Sequence, residues 1–162
     1  MNLKDIINRL DINADWVGLR EYKENTTYHV IRDKNPLSND TSIDHGIMVE
    51  ALKDGQFGYS GTSDLSFDGI NKAATLALDN ASKASKHSIF SFNSDVRPNS
   101  QGSYETPLAL PFDSLSAGEI NNILMKANDW LKIDDRIMSV TAMAMLVETT
   151  INYVCSNGSN IS

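Results

Sequence analysis

Gly46-Ile-Met-Val-Glu-Ala-Leu-Lys-Asp-Gly-Gln-Phe-Gly-Tyr-Ser-Gly-Thr-Ser-Asp-Leu-Ser66 reads as two β-strands joined at Asp54-Gly55 and followed by a helix cap. Asp-Gly suits a type I′ turn, whose two central residues both need positive φ. A two-residue loop there fixes the register. Leu52 faces Phe57, Glu50 faces Tyr59 and Met48 faces Gly61 on one side of the ribbon. Ala51 faces Gly58, Val49 faces Ser60 and Ile47 faces Thr62 on the other. Neither side is uniformly polar, which predicts a strand pair covered at least partly on both faces. The second side is built of small residues and admits a helix at close range. A suitable helix begins at Ser66.

Outward from this hairpin, the flanking chain reads as follows. Asn2 caps a short helix with Leu3, Ile6, Ile7 and Leu10 on one face. Residues 14–24 alternate as a first strand, 25–27 form a turn and 28–32 a second strand. Residues 33–40 read as a loop, and the central hairpin supplies strands three and four. A helix over 67–86, capped by Ser66 or Asp64, carries Ile70, Ala73, Ala74, Ala77, Leu78, Ala81 and Ala84 at helical spacing. Alanine loses no side-chain entropy there and lets the axis lie close to a sheet. Between His87 and Asp113 the pattern collapses around Pro98, Pro107 and Pro111, which implies either a mobile lid or an extended segment laid across the body. Ser116-Ala-Gly-Glu119 is a capping box. It opens a third helix with Ile120, Ile123, Leu124, Ala127 and Leu131 on its apolar face and Trp130 covering the end. Residues 135–156 are rich in β-branched side chains and read as two strands broken near 146–148. Ser156-Asn157-Gly158-Ser159 is a second hairpin signal with three residues after it. That predicts a chain cut inside a hairpin, with an open edge prone to self-association. The expected fold is α+β: a mostly antiparallel sheet of about six strands, two long helices and one short N-terminal helix.

Composition narrows the function. The chain has 162 residues, 41% hydrophobic and 22% charged, as one ordinary globular domain would. Its formal net charge of −7 repels phosphate backbones, so nucleic acid is not an expected partner. A single cysteine, Cys155, excludes an internal disulfide and suits a reducing compartment. No signal peptide or membrane-length apolar run is present, which predicts a soluble, cytoplasmic chain with no membrane partner.

The ordered combination of Ala14-Asp15-Trp16, the Asp54-Gly55 turn, Gly58-Tyr59-Ser60, Asp64-Leu65-Ser66 and the alanine-rich helix resembles the N-terminal domain of the TldD/PmbA family. The likeness is clearest over 14–84 and looser beyond 87; the closing Ser156-Asn157-Gly158 also looks like that family. The resemblance implies a metallopeptidase family that works as two related chains on small, unfolded peptides. Its old label of DNA gyrase modulator does not imply DNA contact. It further implies domain boundaries of 1–156 for the N-terminal domain and 157–162 for the start of a following segment. Zinc is expected in the family's catalytic chain, on H-E-x-x-x-H in a later domain. Two His one helical turn apart would bind the ion there and the Glu would activate its water. That motif is absent, so no catalytic or metal residue carries over, no cofactor is expected in this chain, and substrate-binding residues stay unassigned. The implied partners are a second TldD/PmbA-type chain, in a homo- or hetero-oligomer, and unfolded peptides.

The individual candidates have plainer readings. His45, beside Asp44, would need Glu50 or His29 to build a metal site; Asp-His before a strand is more often a turn with an exposed ring. His87 has no helical partner. Cys155 would need a base and an activating environment to act as nucleophile, and in an apolar strand it fills core. Asp134 and Asp135 point apart if extended. Gly55, Gly58 and Gly61 lack the strand-to-helix setting of a phosphate loop. Phe57 and Tyr59 fit core packing better than a peptide groove. The alternatives to a peptidase domain are a stand-alone peptide-binding or interaction domain and, last, a self-contained enzyme using His29, His45 or Cys155.

Overall fold

The structure, a computed structural model, describes residues 2–162. It is α+β: three helices and six strands in the order α1 (Leu3–Ile7), β1 (Trp16–Arg32), β2 (Asn35–Lys53), β3 (Gln56–Thr62), α2 (Phe67–Ser85), β4 (Gln101–Gly102), α3 (Ala117–Leu131), β5 (Thr141–Cys155) and β6 (Asn160–Ile161). The strands form one mixed, mostly antiparallel sheet in the order β3-β2-β1-β5-β6-β4. The chain divides into two packed units. The first comprises the chain up to Lys23, Asp44–Glu105 and Thr150–Ser162; the second comprises Glu24–Ile43 and Thr106–Thr149.

In the first unit the central hairpin has the expected register at all six pairs, from Ile47 with Thr62 to Leu52 with Phe57. Asp54 (φ 51°) and Gly55 (φ 76°) hold the type I′ geometry. Ser66 caps α2 by accepting from Gly69 N–H at 3.1 Å. The alanine face of α2 then buries Ile70, Ala73, Ala74 and Ala77 against Leu19, Val49 and Ala51, and Ala81 is buried one turn further on. Ala84, read as part of that face, is exposed. Gly58 sets the closeness of this contact: a Cβ there would stand 2.0 Å from Ala77 O and 2.4 Å from Ala81 N.

Several boundaries differ from the reading of the sequence. Residues 25–27 do not turn but continue one strand, β1, from Trp16 to Arg32. The loop expected at 33–40 shrinks to a two-residue turn, Asp33 (φ 48°) and Lys34 (φ 65°), after which β2 runs unbroken for 19 residues. Neither turn residue is glycine. Their left-handed backbone is offset by hydrogen bonds to the Asp33 carboxylate from Val140 N–H (2.8 Å) and the Ser139 hydroxyl (2.9 Å). The break expected near 146–148 is absent, and β5 is one strand. The chain after Asn157-Gly158 is not unpaired: β6 pairs antiparallel with β5 at Tyr153–Val154 and parallel with β4.

The second unit packs α3 on the strands through Ile31, Ile120, Leu124 and Ala142. Its capping box forms as expected at Ser116 and Glu119. Ile123, Leu131 and Trp130, read as apolar face and cover, are instead exposed. The helix buries a polar residue in their place: Asn128 Nδ2 donates to Ile31 O (3.4 Å) and Leu124 O (3.2 Å).

Gly58→Ala is expected to destabilise the fold by on the order of 1–3 kcal/mol, because α2 backbone rather than a flexible side chain must move. Urea unfolding followed by circular dichroism checks this; a midpoint unchanged from the parent would contradict the close approach.

Candidate functional site

The second unit contains a cleft of about 430 Å³. Strand alternation builds its floor. Asn25, Thr27 and His29 are every second residue of β1, and Asn39 and Thr41 come from β2. Leu146 and Glu148 of β5 and Ile120 of α3 complete the wall, and Phe112 and Leu115 form the lip. His29 is 1% exposed, and its Nδ1–H donates to Asn121 Oδ1 at 3.0 Å, so the ring is floor rather than a reactive group. The Thr27 and Thr41 hydroxyls meet at 3.1 Å. Asn25 Oδ1 is shielded from solvent without a hydrogen-bond partner in the structure. Leaving such an acceptor unmatched costs about 1–3 kcal/mol, which a donor entering the cleft would recover. Amides and hydroxyls beside apolar side chains suit a peptide: they accept from N–H and donate to C=O whatever the side chains are.

The α3 terminus at the cleft is held by reciprocal bonds. Glu119 N–H donates to Ser116 Oγ (3.3 Å), and Ser116 N–H donates to Glu119 Oε2 (2.8 Å). The Ser116 backbone N–H, and then its hydroxyl, hold the Glu119 carboxyl below the usual range.

The first unit carries a charged cluster. Glu50, 2% exposed, lies between Arg20 (3.5 Å) and Arg97 (3.4 Å). Arg97 also stacks on Phe57, 4.8 Å from the ring centroid. Burial, and then the charge of Glu50, push the nearby Tyr153 hydroxyl up to about 12. Glu21 accepts from His45 Nε2 (3.0 Å) and Asn152 Nδ2 (3.0 Å). Burial pushes the Glu21 carboxyl up, but these two bonds and the His45 charge outweigh it and leave it lowered.

The single-residue candidates have the following surroundings. His45 is committed to Glu21, Glu50 to two arginines and His29 to Asn121. Among the described residues no three His, Cys, Asp or Glu side chains converge as metal ligands. Cys155 is buried with Trp16 and Leu52, and its thiol donates to Asn157 Oδ1 (2.6 Å). Asp134 is held in a turn by Arg136, at 2.8 and 2.9 Å. Phe57 packs edge-on to Trp16 at 5.9 Å, whereas Tyr59 is exposed and not core as read. Sequence reasoning missed the cleft residues Asn25, Thr27, Asn39 and Thr41. On β1 the signal was the two-residue spacing of Asn25 and Thr27 in line with His29 and Ile31.

Residues 17–81 match the family model described as PmbA/TldA metallopeptidase domain 1. Over those residues the chain is similar to the first domain of the PmbA/TldD family. The fold agrees over nearly the whole chain. A proposed modulator of a DNA gyrase from Thermotoga maritima superimposes with a TM-score of 0.69 at 17% identity, covering 98% of this chain and 36% of that one. TldE from Thermococcus kodakarensis gives 0.68 at 12% identity, with 98% and 35% covered. A proposed modulator of DNA gyrase from Bacteroides thetaiotaomicron gives 0.63 at 16% identity, with 96% and 35% covered. The PmbA/TldD-like chain thus spans about a third of the length of the structures it matches. No curated protein sequence matches it significantly. Among its described residues no helix is long and apolar enough to cross a membrane.

Because the Glu119 carboxyl is held low, its contribution to capping α3 is complete above the ordinary glutamate value of 4.5 and disappears as pH falls through the lowered folded value. Amide exchange at the start of α3 is expected to accelerate in that acid window and, in Glu119→Gln, to lose this pH dependence. A wild-type profile flat through the window would contradict the cap.

Proposed function

We propose that this chain is the amino-terminal domain of a PmbA/TldD-type metallopeptidase acting on small, unfolded peptides. In this reading it shapes the substrate chamber and meets a second PmbA/TldD-type chain, while zinc and its chemistry reside outside residues 1–156. Residues 157–162 begin the following segment, and the setting is the reducing cytoplasm that a single thiol suits. The observation that carries the reading is the family match over 17–81, in a chain whose described His, Cys, Asp and Glu side chains gather no metal site. The cleft supports a peptide role, since its Asn and Thr side chains address backbone amides rather than one side chain. The same cleft would serve a stand-alone peptide-binding domain; that reading lacks an equivalent of the family match.

A fluorescently labelled, unstructured peptide is expected to bind the purified chain and raise its anisotropy. Asn39→Ala, at an exposed position, should weaken that binding by about five- to tenfold, the worth of one lost hydrogen bond. The chain alone should not cut the peptide. Cleavage by it that a chelator abolishes would overturn the assignment of chemistry elsewhere, and no binding would overturn the peptide role.

A further inference from the structure

The cleft of the second unit carries charge of one sign. Its lining includes two carboxylates, Glu148 on the β5 wall and Asp113 on the lip, and neither lysine nor arginine. Neither carboxylate enters an ion pair or a side-chain hydrogen bond with another described residue. The ion pairs within this unit, Lys34–Asp129 and Arg136–Asp134, lie outside the cleft.

Two shielded groups in the same lining are acceptors as well. Asn25 Oδ1 is closed off from solvent and accepts from no described residue. His29 is 1% exposed, and with its Nδ1–H given to Asn121 its Nε2 is a lone pair that no described donor meets. An occupant that satisfied both would bring N–H groups rather than carbonyls. The rest of the wall is apolar, built by Phe112, Leu115, Ile120 and Leu146. Unmatched acceptors, two negative charges and apolar side chains complement one form of side chain: a long apolar stem ending in a cationic set of donors. Lysine and arginine have that form, and arginine brings five donors to lysine's three.

We propose that the cleft selects a basic side chain, arginine before lysine, in the peptide it holds. This rests on the peptide role proposed above and adds the side chain that the cleft prefers. The Asn and Thr side chains take peptide backbone, the carboxylates take the cationic head, and the apolar side chains cover its stem. Glu148 belongs to β5 and Asp113 to the turn at Phe112–Ser114, so the head is approached from two separate elements. A neutral side chain of the same shape keeps the backbone contacts and the apolar cover but leaves both charges unmatched. An acidic one adds repulsion.

Two labelled, unstructured peptides that differ only in arginine against citrulline, its uncharged isostere, test this by anisotropy on the purified chain. The arginine peptide is expected to bind about three- to tenfold tighter, the worth of two partly solvated ion pairs. Raising the salt concentration should close most of that gap. Glu148→Gln and Asp113→Asn should each bring the ratio of the two affinities toward one. Asp135→Asn makes the same change of net charge outside the cleft and should leave the ratio as it was. Three results would overturn the preference and leave the peptide role standing: equal binding of the two peptides, a ratio unmoved by Glu148→Gln and Asp113→Asn, or one lowered as far by Asp135→Asn. Failure of both peptides to bind would overturn the peptide role and the preference with it.

Discussion

The contact on which the first unit depends is the approach of α2 to Gly58. With Ala77 O and Ala81 N at distances no Cβ tolerates, the helix sits nearly on the strand backbone. Side chains larger than alanine at Ala73, Ala74 or Ala77 would lift it away. The requirement runs back to the hairpin. The Asp54–Gly55 turn places Gly58 opposite Ala51 and Ser60 opposite Val49, so one face of the ribbon is low where the helix must land. The alanine pattern of the helix and the glycine pattern of the strand are two sides of one constraint.

That constraint was legible because both halves follow simple periods and both ends carry strong signals. The strand count was also legible, though partly through compensating differences. Residues 25–27 looked like a turn because they are polar, and they are polar because Asn25 and Thr27 line a cleft. The turn at Asp33–Lys34 was hidden because it lacks glycine; its geometry is supported by Val140 and Ser139, more than a hundred residues away, which no local pattern reveals. On α3 the helical period was right, but the burial it implied was not. Asn128 took a buried place by bonding strand backbone, while Ile123 and Trp130 stayed outside. Of the site, only His29 had been singled out, and for metal binding rather than for the floor it forms.

The two units deal differently with polar groups. In the first, charges are buried only where they are paired, as Glu50 and Glu21 are. In the second, amides and hydroxyls line the concave surface beside the carboxylates of Asp113 and Glu148, and one shielded acceptor, Asn25 Oδ1, has no partner in the structure. A neutral polar lining can exchange hydrogen bonds with a passing backbone at little cost, whereas a bare buried charge would hold one ligand and reject others.

Glu50 also decides between the two readings of the irregular stretch after α2. A lid would have to leave the body and return. Here Phe92 N–H donates to Gly55 O (2.8 Å), Asn157 Nδ2 donates to Arg97 O (2.6 Å), and Gln101–Gly102 pairs as β4 with β6. Arg97 meanwhile supplies one of the two cations that keep the Glu50 carboxylate stable inside the protein. Lifting residues 92–102 would therefore strand part of a buried charge, and breaking such a pair costs about 3–5 kcal/mol. The segment is laid across the first unit and fastened there. Its irregularity reflects the path it must follow past a carboxylate, an aromatic ring and a strand edge, not freedom to move.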